Sequence, residues 1–240
     1  MVSACSSNCT QTDTLQKQIT ELIQTTTILP SPTLTKTPSP TSTSTSIPTN
    51  TATIEPTEPA GCLKPNDDYG LITINGVLLN QRTYLMLEHA QFLYDGELEI
   101  TGYHITQGSY TDAVPASFST HKGGGAVDLS VIQYGTYQVL YDEIEPLIKA
   151  LRTAGFAAWL RDFDQLYPGS PIHIHAIAIG DRDLSGAAQD QLTGEFGYFY
   201  GYNGLPQPEG FPPVPDEHGG PIICKWMLEM GYPDVRTPTP

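Results

Sequence analysis

The sequence has few basic residues and no long apolar run. It contains 11 Lys and Arg residues against 26 Asp and Glu residues, which gives a formal net charge of −15 over 240 residues. Since a nucleic-acid partner requires basic side chains that neutralise its phosphates, this balance argues against nucleic-acid binding. No stretch reaches the roughly 20 apolar residues that cross a bilayer. We therefore expect an acidic, solvated surface and no nucleic acid among the partners.

Cysteine is also scarce, and no two cysteines have the CxxC spacing of a zinc cluster. The four cysteines are Cys5, Cys9, Cys62 and Cys224. Cys62 and Cys224 flank the part of the chain that can fold. A disulfide between them would tie the two ends of that part together in an oxidising compartment. Free thiols at both positions are the alternative, and the sequence leaves the choice open.

The amino-terminal quarter of the chain lacks the residues of a hydrophobic core. Residues 1–24 contain one short segment with apolar side chains at helical spacing, and residues 25–60 are dominated by Thr, Ser and Pro. Such a tract buries too little apolar surface to offset its ordering entropy, so we predict a disordered, semi-rigid spacer. Residues 61–240 are then a single folded domain with a Pro-rich extension from about residue 205.

The first residues predict a lipid anchor. Val2-Ser3-Ala4-Cys5 has the small residues before a cysteine that end a bacterial lipoprotein signal, although the charged and apolar regions that should precede them are missing. We expect the true start of the chain to lie upstream and Cys5 to carry the lipid, with a chance tetrapeptide as the alternative. On this hypothesis the domain is extracytoplasmic, at the cell surface or secreted, and meets a membrane only through that anchor.

Local patterns predict mixed helical and strand structure. Asn75-Gly76 separates two short apolar runs, which indicates a hairpin. Residues 81–96 and 136–155 have helical periodicity, and Pro146 should either lie early in a separate second helical segment or kink the helix. Four segments have the composition or alternation of strands: 98–106, 126–132, 156–163 and 172–180. Because helices and strands do not alternate strictly, we predict an α+β domain with one central, mostly antiparallel sheet flanked by helices.

Two histidine motifs predict a metal site. His121 lies seven residues before Asp128, and the glycines at 123–125 allow a sharp turn that brings an imidazole and a carboxylate together. His173 and His175 lie on a predicted strand, where residues i and i+2 share a face. Two imidazoles on one face of an apolar strand are costly to bury without partners. A metal is one explanation, and two hydrogen-bonded structural histidines are the other.

The segment around His121 carries a family resemblance. Ser119, His121, Gly124, Ala126 and Asp128 match the pattern SxHxxGxAxD. In this the chain resembles the LAS metallopeptidases, a group that joins lysostaphin-type enzymes, D-Ala-D-Ala carboxypeptidases and dipeptidases, and the Sonic hedgehog N-terminal domain. The resemblance covers about residues 70–205 and extends to uncharacterised bacterial secreted proteins. It implies a hedgehog- or DD-peptidase-like fold, and we expect a monomer.

The resemblance also implies site residues. His121, Asp128 and His175 would hold one Zn²⁺ per chain, and His173 would line the active site and polarise the substrate or stabilise the tetrahedral intermediate. Three further positions are similar to residues that contact substrate or support the active-site loop: Ser119, Gln107 and Arg161. Of these, the guanidinium would suit a peptide carboxylate, because it can pair with both carboxylate oxygens.

The implied activity is zinc-dependent hydrolysis of amide bonds in peptidoglycan peptides, at bonds involving a D-amino acid. The familiar general base is missing, however, since Ile172 and Ser170 occupy the positions where members of the group have Glu or His. His173, Asp162 and Asp164 remain as candidate bases, with solvated loop charges as the alternative for the two aspartates. The alternative function is a non-catalytic zinc-binding surface module that recognises wall peptides or a protein partner.

Overall fold

Two antiparallel sheets form the β structure of the fold. The computed structural model describes residues 57–234. The first sheet is the hairpin β1 (Leu71–Ile74) and β2 (Val77–Asn80), and the second contains β3 (Ile105–Gln107), β4 (Ala126–Ser130), β5 (Phe156–Arg161) and β6 (His173–Ala178) in the order β3-β4-β6-β5. The α+β class and the antiparallel pairing confirm the prediction. The sequence predicted one central sheet, however, and the hairpin β1–β2 forms a second, separate sheet.

Four α-helices lie along the described chain: α1 (Gln81–Leu93), α2 (Tyr141–Thr153), α3 (Gly186–Thr193) and α4 (Lys225–Glu229). The Asn80 side chain caps α1 by accepting a hydrogen bond from the Thr83 N–H at 2.8 Å. The Ser185 hydroxyl caps α3 in the same way, from the Ala188 N–H at 3.1 Å. No helix within residues 57–234 has the length and apolar character to cross a membrane.

The strand predicted over residues 98–106 is shorter in the structure. Only Ile105–Gln107 pairs with β4. The Glu99 side chain accepts hydrogen bonds from the backbone N–H groups of Thr101 and Tyr103, at 3.0 and 3.1 Å. A side chain that binds nearby backbone groups competes with the sheet ladder, and residues 100–104 therefore form turns.

The second predicted helix begins later than its periodicity indicates. Residues 132–139 form a small hairpin of their own, closed by the pairing of Ile132 with Val139 and by a 2.8 Å hydrogen bond from the Gln133 N–H to the Gln138 carbonyl. The helix α2 starts only at Tyr141. Pro146 lies inside it, in the second turn.

The central sheet separates two hydrophobic cores. One core contains Ile174 of β6 together with side chains of α1 and α2. The other contains Trp159 of β5 and Ile177 of β6, packed with side chains of α3 and α4. Because side chains alternate between the two faces of a strand, His173 and His175 face the same side as Ile177. The histidines therefore lie on the α3 side of the sheet.

A disulfide joins the beginning and the end of the described domain. Cys62 and Cys224 are bonded, with their Cα atoms 5.6 Å apart and a sequence separation of 162. Cys224 is buried in the second core and immediately precedes α4. The segments 1–24 and most of 25–60, with the predicted anchor Cys5, lie outside the described residues.

Candidate metal centre

Three side chains from separate parts of the chain converge on the α3 side of the sheet. Asp128 of β4 and His175 of β6 are directly paired in register, and Asp128 Oδ1 lies 2.7 Å from His175 Nδ1. His121, from the single 3₁₀ turn Thr120–Lys122, places its Nε2 3.2 Å from Asp128 Oδ1 and 3.3 Å from His175 Nδ1. All three residues are buried, and together they can hold a metal ion.

Hydrogen bonds outside the group orient both imidazoles. His121 Nδ1 lies 2.8 Å from the Gly108 carbonyl, and His175 Nε2 lies 3.0 Å from Gln191 Oε1. Both partners are acceptors, so the tautomer that can bind a metal through the inner nitrogens carries its proton on these outer ones. The unprotonated nitrogens, Nε2 of His121 and Nδ1 of His175, then face Asp128. Such outer partners are typical of metal-binding histidines.

The spacing of the three ligand atoms can be compared with that of a tetrahedral zinc site. Ligand atoms about 2.0–2.1 Å from Zn²⁺ at the tetrahedral angle lie roughly 3.3 Å apart. The two distances from His121 Nε2, 3.2 and 3.3 Å, agree with this value. The 2.7 Å between Asp128 and His175 is a hydrogen-bond length, so an ion requires an opening of about 0.6 Å there. The donor set and its spacing fit zinc after this small adjustment.

The protonation behaviour of the group follows from burial and mutual charge. Burial disfavours the ionised form of Asp128, but His121 and His175 outweigh that effect and hold the pKa of its carboxyl well below the ordinary value. Burial also disfavours the charged form of His121, yet Asp128 raises the pKa of this imidazole above the usual value. For His175 burial prevails and lowers its pKa to about 4. A carboxylate and a neutral imidazole are metal-binding forms.

His173 lies at the edge of the three-residue group. Its Nδ1 is 2.8 Å from the Pro171 carbonyl, so in the neutral ring the proton is on Nδ1 and the lone pair is on Nε2. That nitrogen is 3.8 Å from Asp128 Oδ2. His173 also lines a cavity of about 20 Å³ over the three ligands. Three histidines line this cavity, and if His121 and His175 bind the metal, His173 is the one that remains free of it.

Arg161 borders the same cavity and has an unused donor. It pairs in register with His173, is 2% exposed, and donates from Nη1 to the Asn203 carbonyl at 2.9 Å. Its guanidinium lies over the Trp159 ring, 5.3 Å from the centroid. Burial lowers the pKa of Arg161 to about 10, so the group remains charged at neutral pH. Its Nη2 is buried with no hydrogen-bond partner among the described residues.

Three other predicted residues do not line the cavity over the ligands. Ser119 is exposed, has a left-handed backbone with φ 62°, and its hydroxyl donates to Asp112 Oδ1 at 3.4 Å. Asp162 and Asp164 lie in the exposed loop after β5, where each carboxylate accepts a hydrogen bond from a backbone N–H of that loop. This placement favours solvated loop charges over the role of general base.

Gln107 lies beside the group, on the far side from Arg161. It is opposite Asp128 in the β3–β4 register. It lines a cleft of about 350 Å³ that Asp128 and His173 also border. Its Nε2 is buried without a hydrogen-bond partner among the described residues.

Gln191 and Gly108 belong to the centre but did not follow from the sequence. Gln191 lies on α3, 16 residues after His175, and its contact depends on how that helix packs against the sheet. Gly108 contributes only its carbonyl. Neither contact leaves a local sequence pattern.

The chain matches no protein-family model, and comparison with curated proteins and with solved structures yields no match either.

Proposed function

We propose that this chain is an extracytoplasmic zinc peptidase that hydrolyses amide bonds in peptidoglycan peptides, at bonds involving a D-amino acid. The observation that carries the proposal is the convergence of acceptor atoms from His121, Asp128 and His175. With both outer ring protons directed to carbonyl oxygens, the inner atoms face one another at 2.7–3.3 Å. Such an arrangement requires a proton or a cation between them.

The number of protein ligands supports a catalytic metal site rather than a structural one. Structural zinc sites have four protein ligands, whereas catalytic sites have three and keep one position open. Within residues 57–234 the group has three members, and it adjoins a cleft. A zinc ion in such a site polarises a carbonyl and lowers the pKa of water. The disulfide of the domain fits an oxidising, extracytoplasmic compartment.

The chain's own residues supply the remaining functions. His173, with its free Nε2 toward the site, is positioned to accept a proton from the attacking water and to return it to the leaving amine. Arg161, charged and with an unused Nη2, is positioned to bind a negatively charged oxygen of the substrate.

A non-catalytic zinc-binding module is the second candidate, and one observation favours it. Among the described residues that line the cavity over the ligands, Asp128 is the one carboxylate, and it belongs to the metal group. Ile172, where members of the resembling group have glutamate, packs into the first core. Without a carboxylate base, catalysis depends on His173.

Incubation with purified peptidoglycan separates the two candidates. The zinc-loaded full chain is expected to release new amino groups and D-alanine, and His173→Gln should reduce the rate by at least about a hundredfold while zinc remains bound. His89→Gln, a change on α1, serves as the matched control and should keep full activity. Zinc binding without any release of amines would support the non-catalytic module.

A further inference from the structure

The Pro-rich extension folds back on the segment that precedes it. Residues 214–216 pair with residues 201–203 through two backbone hydrogen bonds of 2.9 Å. Tyr202 and Pro215, in the middle of the two segments, form an antiparallel bridge. Residues 205–213, which connect the segments, form neither helix nor strand. The pairing therefore fixes where the backbone carbonyls of residues 202 and 203 lie.

Those two carbonyls hold two side chains of β5. Trp159 Nε1 donates to the Tyr202 carbonyl, and Arg161 Nη1 donates to the Asn203 carbonyl, each at 2.9 Å. The other terminal nitrogen of the guanidinium, Nη2, has no partner among residues 57–234. The direction in which Nη2 points from the border of the metal cavity therefore depends on the position of the Asn203 carbonyl.

A buried ion pair fixes the extension from its other side. Arg152 Nη2 lies 2.5 Å from Asp216 Oδ2, and both side chains are 2% exposed. The same guanidinium donates to the His218 and Gly220 carbonyls at 2.5 and 2.8 Å, and to the Ala158 carbonyl on β5. Desolvation offsets much of the attraction within a buried ion pair, and the best-attested role of such pairs is to fix one arrangement.

We propose that Arg152 and Asp216 are positioning residues for Arg161. Their ion pair fixes the extension, and the extension fixes the Asn203 carbonyl that directs the Arg161 guanidinium toward the cavity over the metal ligands. That Arg161 binds a negatively charged oxygen of the substrate rests on the proposed function. Residues 214–216 do not line that cavity themselves, so they act on it through Arg161.

The charge of Asp216 also acts on Arg161 directly. The two residues line one cavity of about 140 Å³. Burial lowers the pKa of Arg161, and the negative charges of Asp128 and Asp216 oppose that effect. Asp216 therefore supports the charged guanidinium both through the backbone of the paired segments and through its own charge.

Binding of a small anion tests the positioning without turnover. The probe is dimethylphosphinate, a singly charged oxyanion, titrated into the zinc-loaded full chain and followed by its ³¹P signal. Asp216→Asn should weaken the probe at least about tenfold with zinc content unchanged, because Arg161 is no longer held toward the cavity. Glu209→Gln, the corresponding change at an exposed position of the extension, is the matched control and should bind like wild type.

A second variant avoids leaving a buried charge unpaired, which could unfold the domain. Pro215→Gly keeps the ion pair and loosens the paired segment at an exposed position. It should weaken the probe several-fold, with only a small change in melting temperature. Wild-type affinity for the probe in this variant would overturn the proposal.

Combination with Arg161→Ala separates positioning from a general effect on structure. Arg161→Ala alone should weaken the probe at least as much as Asp216→Asn or Pro215→Gly does. If the extension acts through Arg161, adding either change to Arg161→Ala should cause no further loss. Losses that add would mean that the extension acts on structure alone, and would overturn the proposal.

The outcomes also separate this proposal from the peptidase activity. Probe binding that depends on Arg161 and the extension, without hydrolysis of peptidoglycan, would support the positioning and remove the catalytic proposal. Hydrolysis and probe binding at wild-type levels in Pro215→Gly would do the reverse. A zinc-loaded wild type that does not bind the probe would overturn the anion-binding role of Arg161 and the positioning with it.

Discussion

Asp128 and His175 face each other across two hydrogen-bonded strands, with Asp128 Oδ1 2.7 Å from His175 Nδ1. Directly opposed residues of an antiparallel pair have Cβ atoms about 4.5–5.5 Å apart, so the backbone ladder itself sets the spacing of these two ligands. His121 is different, because it is held by a glycine-rich loop. The loop is therefore the part of the centre most sensitive to backbone changes.

Gly123→Ala should disturb the position of His121. A Cβ at this residue would lie 2.2 Å from the Asp183 carbonyl oxygen and 2.4 Å from the Ser185 nitrogen, both backbone atoms that cannot easily move. We expect zinc affinity to fall at least about tenfold, and the free energy of unfolding to fall by about 1–3 kcal/mol.

Gly186→Ala is the matched control for that change. This glycine is the first residue of α3, and an added Cβ there meets nothing within 4 Å. Chelator competition and chemical denaturation should show wild-type zinc affinity and a stability equal to or slightly above wild type. If both glycine variants bound zinc like the wild type, close packing of the loop would not control the site.

Gln191→Leu should weaken metal binding without removing a ligand. The amide oxygen of Gln191 accepts the Nε2 proton of His175 and so directs Nδ1 toward the metal position. Loss of an outer partner of this kind typically lowers metal affinity 10–100-fold. Gln189→Leu, an exposed position on the same helix, should leave affinity unchanged. The measurement is titration against a chromophoric chelator, and equal affinities for the two variants would contradict this role.

Zinc affinity should decrease with acidity in two stages. The metal displaces protons from its ligands, so log Kd changes with pH according to the number of protons displaced. The pKa of His121 is raised above 6.5, so its protonation weakens binding about tenfold per pH unit as pH falls below that raised value. His175 has a pKa of about 4 and adds a second proton only near that pH. A slope of two already at pH 6 would show that His175 titrates normally.

Removal of the disulfide should destabilise the domain. The bond closes a loop with a sequence separation of 162 residues, and loss of a native disulfide costs about 2–5 kcal/mol. Cys62→Ala combined with Cys224→Ala should lower the free energy of unfolding by that amount in chemical denaturation. Wild type treated with reductant should behave like the double variant, and reductant should not affect the double variant further. Unchanged stability in all these samples would contradict a structural role for the bond.

The two histidine motifs could be found because their signals are local, whereas the choice of His121, Asp128 and His175 as ligands was implied by the family resemblance. His173 and His175 share a face by strand alternation, and the glycines after His121 indicate a sharp turn. The pairing of Asp128 with His175 could not be predicted in this way, because strand register depends on contacts 47 residues apart. The contact of Gln191 with His175 depends on the packing of α3 and was missed for the same reason.

The errors in the predicted fold also have physical causes. Residues 98–106 alternate like a strand, yet Glu99 binds backbone N–H groups within the segment and prevents extension of the ladder. The periodicity of α2 extends back to residue 136, but residues 132–139 form a hairpin, and the helix therefore begins only after it. In both regions local hydrogen bonds determine where the strand or helix begins. The pattern of apolar residues gives no indication of these bonds.

The central claim is a single zinc ion held by His121, Asp128 and His175. Elemental analysis of the purified full chain, after dialysis against metal-free buffer, measures it most directly. The predicted result is one zinc per chain in wild type and in His89→Ala, and about none in His121→Ala or His175→Ala. Zinc retained at full stoichiometry in both ligand variants, or no zinc in the wild type, would contradict the claim.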